Sequence, residues 1–235
     1  MSRSIKTLLV VPENNTTMEP EISALCPALA PIPVARVKRP ARTLLLEDLP
    51  AYAEATMAAV EPFAGEQFDL VIYGCTAAGF LGGPAGNARM VERLRERTRA
   101  TVVSTAGAMV DALHTEGVKS TAVVTPYLAP VNDGLRAYLE SSGIAVETLN
   151  SFFCKTTKEL GEVTQEQVLE LVLRTVTPQS KSLFVACSQL PTLNVVAKLR
   201  AQLGIPVWSS IQATAWAGAN ALSAQGLPVP FNQAA

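Results

Sequence analysis

Apolar and polar positions fall into short, alternating blocks along this chain. Apolar runs at 7–11, 33–37, 70–73, 102–104, 121–125, 145–149, 183–186 and 207–208 read as buried strands. Between them lie segments with helical spacing: 18–29, 46–63, 85–97, 106–116, 128–142, 165–175, 193–203 and 211–222. Strand and helix in strict alternation predict βαβ units and parallel sheet. Gly117 and Gly143 each close a helical pattern, where a left-handed residue is wanted. Thr164 before Gln165-Glu166-Gln167 is close to a capping box. The glycine-rich stretch 79–86 reads as a flexible loop with the mobility of a lid. The tail at 228–235 carries no pattern and is expected to be loosely ordered.

The strand pattern repeats. Val71-Ile72-Tyr73-Gly74-Cys75-Thr76-Ala77-Ala78 is echoed by Leu183-Phe184-Val185-Ala186-Cys187-Ser188-Gln189-Leu190. Leu8-Leu9-Val10-Val11-Pro12 is echoed by Ala122-Val123-Val124-Thr125-Pro126, and Ser104-Thr105-Ala106-Gly107-Ala108 by Ser209-Ser210-Ile211-Gln212-Ala213. The fold class expected is α/β: two similar Rossmann-like lobes with parallel sheets, related by a pseudo-twofold axis. Residues 1–105 with 209–235 would form one lobe and 106–208 the other. Open α/β sheets bind ligands at the carboxyl ends of their strands. Cys75 and Cys187 both stand at such an end, so each lobe would present one thiol to a small substrate in the cleft between them.

Composition narrows the partner. Charged residues make up 17% of the 235 positions and the net charge is −1, which gives no basic face for nucleic acid. Every apolar run is far shorter than the ~20 residues of a membrane span, and the first six residues lack the apolar region of a signal peptide. A cytoplasmic protein acting on a small molecule is therefore expected, with no nucleic acid, no membrane, and a homo-oligomer allowed. The cysteines Cys26, Cys75, Cys154 and Cys187 contain no CxxC pair and are expected to be free thiols. With His114 as the single histidine, zinc is poorly supported. His114 itself sits near a helix C-terminus, where it favours the dipole. No GxGxxG or GK[ST] motif follows a strand, and no cofactor is expected. Cys26 and Cys154 lack the strand-end context and read as core or incidental residues.

At this level of detail the chain resembles the aspartate/glutamate racemase superfamily, in the branch of maleate cis–trans isomerases and arylmalonate decarboxylases. Val11-Pro12-Glu13-Asn14-Asn15-Thr16-Thr17-Met18-Glu19 resembles the isomerases' VPxxNTTME opening. Thr125-Pro126-Tyr127 resembles their APY motif, and Ala186-Cys187-Ser188-Gln189-Leu190-Pro191 their ACxQxP motif. The segment 79–87 is closer to the decarboxylases' SFxxGxxxN. Decarboxylases of this branch keep the second cysteine and carry glycine at the first. The presence of both Cys75 and Cys187 therefore resembles isomerases and racemases. One departure is at Thr157, near which the isomerases carry asparagine.

The resemblance implies an isomerase of maleate or a close cis-enedioate that works without a cofactor. A thiolate adds to the activated C=C bond, the resulting single bond rotates, and elimination releases the trans isomer. Cys75 would be the nucleophile and Cys187 the acid/base, both with lowered pKa values from their strand-to-helix turns. Tyr127 would donate to an enolate-like oxygen. Basic residues appear scarce near the strand ends, so neutral donors would hold the dicarboxylate. The candidates are Asn15 and Thr16, the N–H groups of Thr76 and Ala77, Thr157, and the N–H groups of Ser188 and Gln189. The rivals are a two-cysteine racemase, for which Glu13 is the one candidate to bind an ammonium, and a cofactor-free decarboxylase of an activated malonate.

Overall fold

The structure, a computed structural model, describes residues 4–233. Eight strands and ten α-helices alternate along it. The first half runs β1 (Thr7–Pro12), α1 (Met18–Leu25), β2 (Val34–Val37), α2 (Leu49–Val60), β3 (Leu70–Tyr73), α3 (Thr76–Leu81), α4 (Gly83–Thr98), β4 (Thr101–Ser104) and α5 (Thr105–Thr115). The second runs β5 (Ser120–Thr125), α6 (Ala129–Ser141), β6 (Ala145–Ser151), α7 (Thr157–Gly161), α8 (Gln165–Thr175), β7 (Leu183–Val185), α9 (Val196–Leu203), β8 (Val207–Ser209) and α10 (Ser210–Ser223).

The strands form two four-stranded parallel sheets with the same order, β2-β1-β3-β4 and β6-β5-β7-β8. All residues of β1, β3 and β7 are buried, as expected for central or near-central strands covered on both faces. The echoes in sequence are echoes in space: β1 and β5 occupy the same place in their sheets, as do β3 and β7. The caps repeat as well. Ser104 Oγ accepts from Gly107 N–H and Ser209 Oγ from Gln212 N–H, both at 3.1 Å, as each chain turns from its sheet's last strand into a helix. The helices after those strands reach across. α10 packs Ile211, Ala215, Ala219 and Leu222 into a core with Leu9, Leu70 and Ile72 of the first sheet. Likewise α5 lies against β8 of the second sheet as well as β4.

Local signals settle most boundaries. Gly117 and Gly143 take φ of 68° and 77° after α5 and α6, the left-handed backbone that side chains resist. Thr164 and Gln167 form the expected capping box at α8. Prolines shorten two long patterns. The pattern at 18–29 breaks at Cys26, where Pro27 begins a 3₁₀ turn, and 46–63 is one α-helix between two 3₁₀ turns. Two expectations are corrected. The stretch 79–86 is no loop: it holds the end of α3 and the start of α4, with Phe80 buried and Gly79 pressed so close to Ala106 that an added Cβ would lie 2.6 Å from that residue's Cβ. The tail is docked, since Val229 is buried with α1 and α10, and Asn232 N–H donates to Leu25 O at 2.8 Å. The last two residues of the tail and the first three of the chain lie outside the described residues. Among the described residues no helix is long and apolar enough to cross a membrane.

Candidate active site

β3 delivers Cys75. The strand ends at Tyr73 and is followed by Gly74, whose N–H still bonds Val10 O at 2.8 Å. Gly74 passes so near α1 and β1 that a Cβ there would meet Met18 Sδ at 2.6 Å and Val11 Cγ1 at 2.7 Å. Glycine is therefore the residue that lets the chain turn at this depth. Cys75 follows as the extended N-cap of α3, 4% exposed. The first bond of that helix is Gly79 N–H to Cys75 O, so the N–H groups of Thr76 and Ala77 have no acceptor within the helix.

β7 delivers Cys187 in the other sheet, 5% exposed. The two thiols line one cavity with Tyr127, Asn15, Thr76, Ala77, Ser188 and Gln189. The cavity is small, about 30 Å³, room for about two waters. Three side chains of its wall stitch the two halves together. Asn15 Nδ2 donates to Ser188 O and Oγ at 3.0 and 3.1 Å, while its Oδ1 accepts from Thr17 and Met18 N–H at the start of α1. Thr76 Oγ1 accepts from Ser188 N–H at 3.2 Å, and Ser188 Oγ donates to Gly74 O at 2.6 Å.

The environments of the two cysteines differ. Burial pushes the Cys187 thiol above its ordinary value, against the N–H groups of Gln189 and Leu190 and the Tyr127 hydroxyl, which pull it down. The lowered value expected for Cys187 is thus corrected: loss of water outweighs the turn's dipoles. The N–H groups beside it are also spent, Ser188's on Thr76 and Gln189's on Cys187 Sγ at 3.4 Å. Tyr127 is held by its backbone, with its N–H on Thr125 Oγ1 and its carbonyl accepting from Asn132 Nδ2 and Ser151 Oγ. Its ring packs edge-on against Phe80 at 5.7 Å. Its hydroxyl is buried within reach of Cys187 and Thr76, and burial together with both thiols raises its pKa well above the phenol value.

Thr16 and Thr157 do not line the cavity. Thr16 is exposed, and its N–H donates to Gln189 Oε1 at 3.2 Å. Thr157 begins α7, and its N–H holds Ala41 O at 2.8 Å. That bond belongs to a strap. The segment after β2 crosses to the other half, where Thr43 N–H bonds Lys155 O at 3.3 Å and Arg42 pairs antiparallel with Thr156. The cover expected from 79–86 is instead this strap, which puts Arg39, Thr43 and Leu44 into the cavity wall. Asn14 also lines the cavity, with Oδ1 buried and unpaired among the described residues. The buried Tyr52 hydroxyl lies within reach of the Cys75 thiol, and burial first, then that thiol, raises its pKa well above the phenol value. The sequence reading missed Asn14, Arg39 and Tyr52. The rule that strand carboxyl ends face the ligand, applied to β2, would have found Arg39. The scarcity of basic residues is corrected accordingly.

Outside the cavity the remaining candidates fall as expected. His114 Nε2 lies 2.9 Å from Ser142 O at the end of α5. Cys26 is a core residue, its thiol pushed up to about 11 by burial. Cys154 is buried and also pushed up to about 11, chiefly by burial and then by Cys187. No group of three or more potential metal ligands occurs among the described residues.

Residues 46–229 match the family model described as arylmalonate decarboxylase. The maleate isomerase of Geobacillus stearothermophilus is 27% identical over 228 residues, 92% of this chain and 91% of that protein. The solved structure of Nocardia farcinica maleate cis–trans isomerase bound to TRIS superposes with a TM-score of 0.86 at 28% identity, covering 93% of this chain and 92% of that one. A cysteine-to-serine mutant of the Nocardia enzyme, holding a covalently bound succinylcysteine intermediate, superposes with a TM-score of 0.85 at 28% identity, covering 96% and 95%.

Proposed function

The chain belongs to the arylmalonate decarboxylase family, and within it we propose a cofactor-independent cis–trans isomerase that converts maleate, or a close cis-enedioate, to its trans isomer. One observation carries this reading: two cysteines on matched strands line a single cavity that has Tyr127 in its wall. The succinylcysteine held by the Nocardia relative is the species that thiolate addition to maleate would form.

The step sequence follows from the asymmetry of the two thiols. Cys75 as thiolate adds to one alkene carbon, forming a C–S bond. The π pair moves to the neighbouring carbon and into its carboxylate. The N–H groups of Thr76 and Ala77 and the Tyr127 hydroxyl stand ready to donate to the charge that develops there. Cys187 is kept protonated by burial and is placed to hydrogen-bond or protonate the carbanion carbon. The central bond is now single and rotates. Cys187 takes back any proton it gave, the C–S bond breaks, and the trans product leaves with the Cys75 thiolate restored.

The rivals fit less well. A racemase of a free amino acid wants a carboxylate for the ammonium, yet no Asp or Glu lines the cavity among the described residues. Glu13 is exposed, and its Oε1 accepts from Arg39 N–H at 3.4 Å. A decarboxylase needs room where the Cys75 side chain stands. We also place the division between the lobes at 1–105 with 209–235 against 106–208, on the strength of the crossed packing of α5 and α10. The four unpaired thiols fit a reducing, cytoplasmic setting.

The test is incubation of the purified chain with maleate, without added cofactor, followed by proton NMR in D2O. Fumarate is expected to appear. Unchanged maleate, with deuterium entering the α position of an amino acid instead, would overturn the reading in favour of a racemase.

A further inference from the structure

We propose that Arg39 is the cationic receptor for one substrate carboxylate, and that it makes this cavity select a doubly charged substrate over a singly charged one. The inference deepens the reading above by naming the group that decides substrate charge.

Arg39 lies two residues beyond the carboxyl end of β2, at the same edge of the first sheet that presents Cys75. Among the described residues it is the one charged side chain lining the cavity. Two nearby arginines are paired elsewhere, Arg36 with Glu19 at 3.2 Å and Arg42 with Asp48 at 2.7 Å, and Lys38 is exposed and does not line the cavity. Arg39 has no carboxylate within ion-pair distance among the described residues. Its guanidinium is nevertheless oriented, because Nη2 donates to Arg42 O at 3.0 Å within the strap. Nε is buried and makes no hydrogen bond.

A buried N–H on a cation, left without an acceptor, costs free energy. The most favourable partner is an anion, and the planar edge of a guanidinium matches a carboxylate. The rest of the wall supplies neutral donors and apolar surface. The cavity therefore offers one full positive charge, on the strap side, and a separate set of neutral donors at Thr76, Ala77 and Tyr127. A dicarboxylate uses both, with one carboxylate on Arg39 and the other where charge develops during addition. A monoester or monoamide can satisfy only one.

The experiment compares wild type with Arg39→Met and Arg39→Lys. It measures kcat and KM for maleate and for its monomethyl ester, and calorimetric binding of maleate to each in a Cys75→Ser background. Loss of one charge-assisted pair corresponds to about 10–100-fold in binding. Arg39→Met is expected to raise KM for maleate by about that factor with a smaller change in kcat, and to narrow the preference for maleate over the monoester. Arg39→Lys should recover part of the preference. Calorimetry separates this proposal from the isomerase reading. If wild type binds maleate without isomerising it and Arg39→Met still loses that binding, the isomerase reading fails and the receptor stands. Equal dianion-to-monoester preference in wild type and Arg39→Met overturns the receptor. So does a fall in kcat at constant KM, or a wild-type chain that binds no dicarboxylate.

Discussion

The corners around Cys75 and Cys187 begin from the same local pattern and end with different chemistry. Each is an apolar strand of a parallel sheet, a small residue, then cysteine, then a hydroxyl residue. At Cys75 a helix starts at once, and its first N–H groups, on residues that line the cavity, have no acceptor within the helix. At Cys187 no helix follows until Val196, and the adjoining N–H groups bond Thr76 Oγ1 and Cys187 Sγ instead. One corner is thus left able to stabilise an anion, while the other holds a thiol that burial keeps protonated. A symmetric pair of elements thus carries two unlike thiols, and on the proposed reading these surroundings make one the nucleophile and the other the acid.

The cysteine variants test that asymmetry most severely. Cys75→Ser should abolish isomerisation, by on the order of 10⁴-fold or more, and with it any succinyl-type adduct on the protein by mass spectrometry. Cys187→Ser should retain slow turnover, reduced by about 10²–10⁴-fold, or accumulate the adduct on Cys75. An adduct mapped to Cys187 in wild type would exchange the two roles. Next in size is Tyr127→Phe, which keeps the packing on Phe80 and removes one donor. Its turnover should fall about 10²–10³-fold, and an unchanged kcat would leave Tyr127 a packing residue.

The pH profile sharpens the comparison further. Thiolate addition requires a deprotonated nucleophile, so activity should fall at low pH. It should also fall as pH rises through the pKa of Cys187, because the acid is lost. Since burial raises that pKa, the alkaline limb should lie above the ordinary thiol range, and it should disappear in Cys187→Ser. A limb that survives the substitution would belong to another group. The smallest effect concerns the stitch shared by both corners. Asn15→Ala removes the α1 cap and the bonds to Ser188, and should lower stability by about 1–3 kcal/mol in denaturant melts. A melt unchanged from wild type would mean the two halves are joined without it.

Asn15 also marks how far local reading reaches. It stands beside the site as expected, yet all its hydrogen-bonding capacity goes to protein partners, so it acts as a brace more than as a ligand for substrate. Thr157 shows the limit more sharply. Its place in the sequence suggests a site residue, but its N–H is committed to Ala41 across the strap. The stretch 79–86 was misread because glycines suggest mobility when taken singly. Packed against Ala106, the same absence of a side chain is what lets α3 lie close to α5.

The sequence by itself determined the parts that depend on short range. Strand period, helix spacing, caps and the repeated strand–cysteine turn all act within a few residues, and they specified two matched sheets with a thiol at the same position in each. Only the tertiary structure decided what those thiols face. Burial of Cys187 depends on residues from both halves, and burial sets its proton affinity. Arg39 reaches the cavity because a strap from the first half bonds to 155–157 of the second, a contact no local pattern encodes. Electrostatics in a buried cleft is a sum over everything around it, so the proton affinity of Cys187 and the approach of the Arg39 charge to the cavity emerge only when the two halves meet.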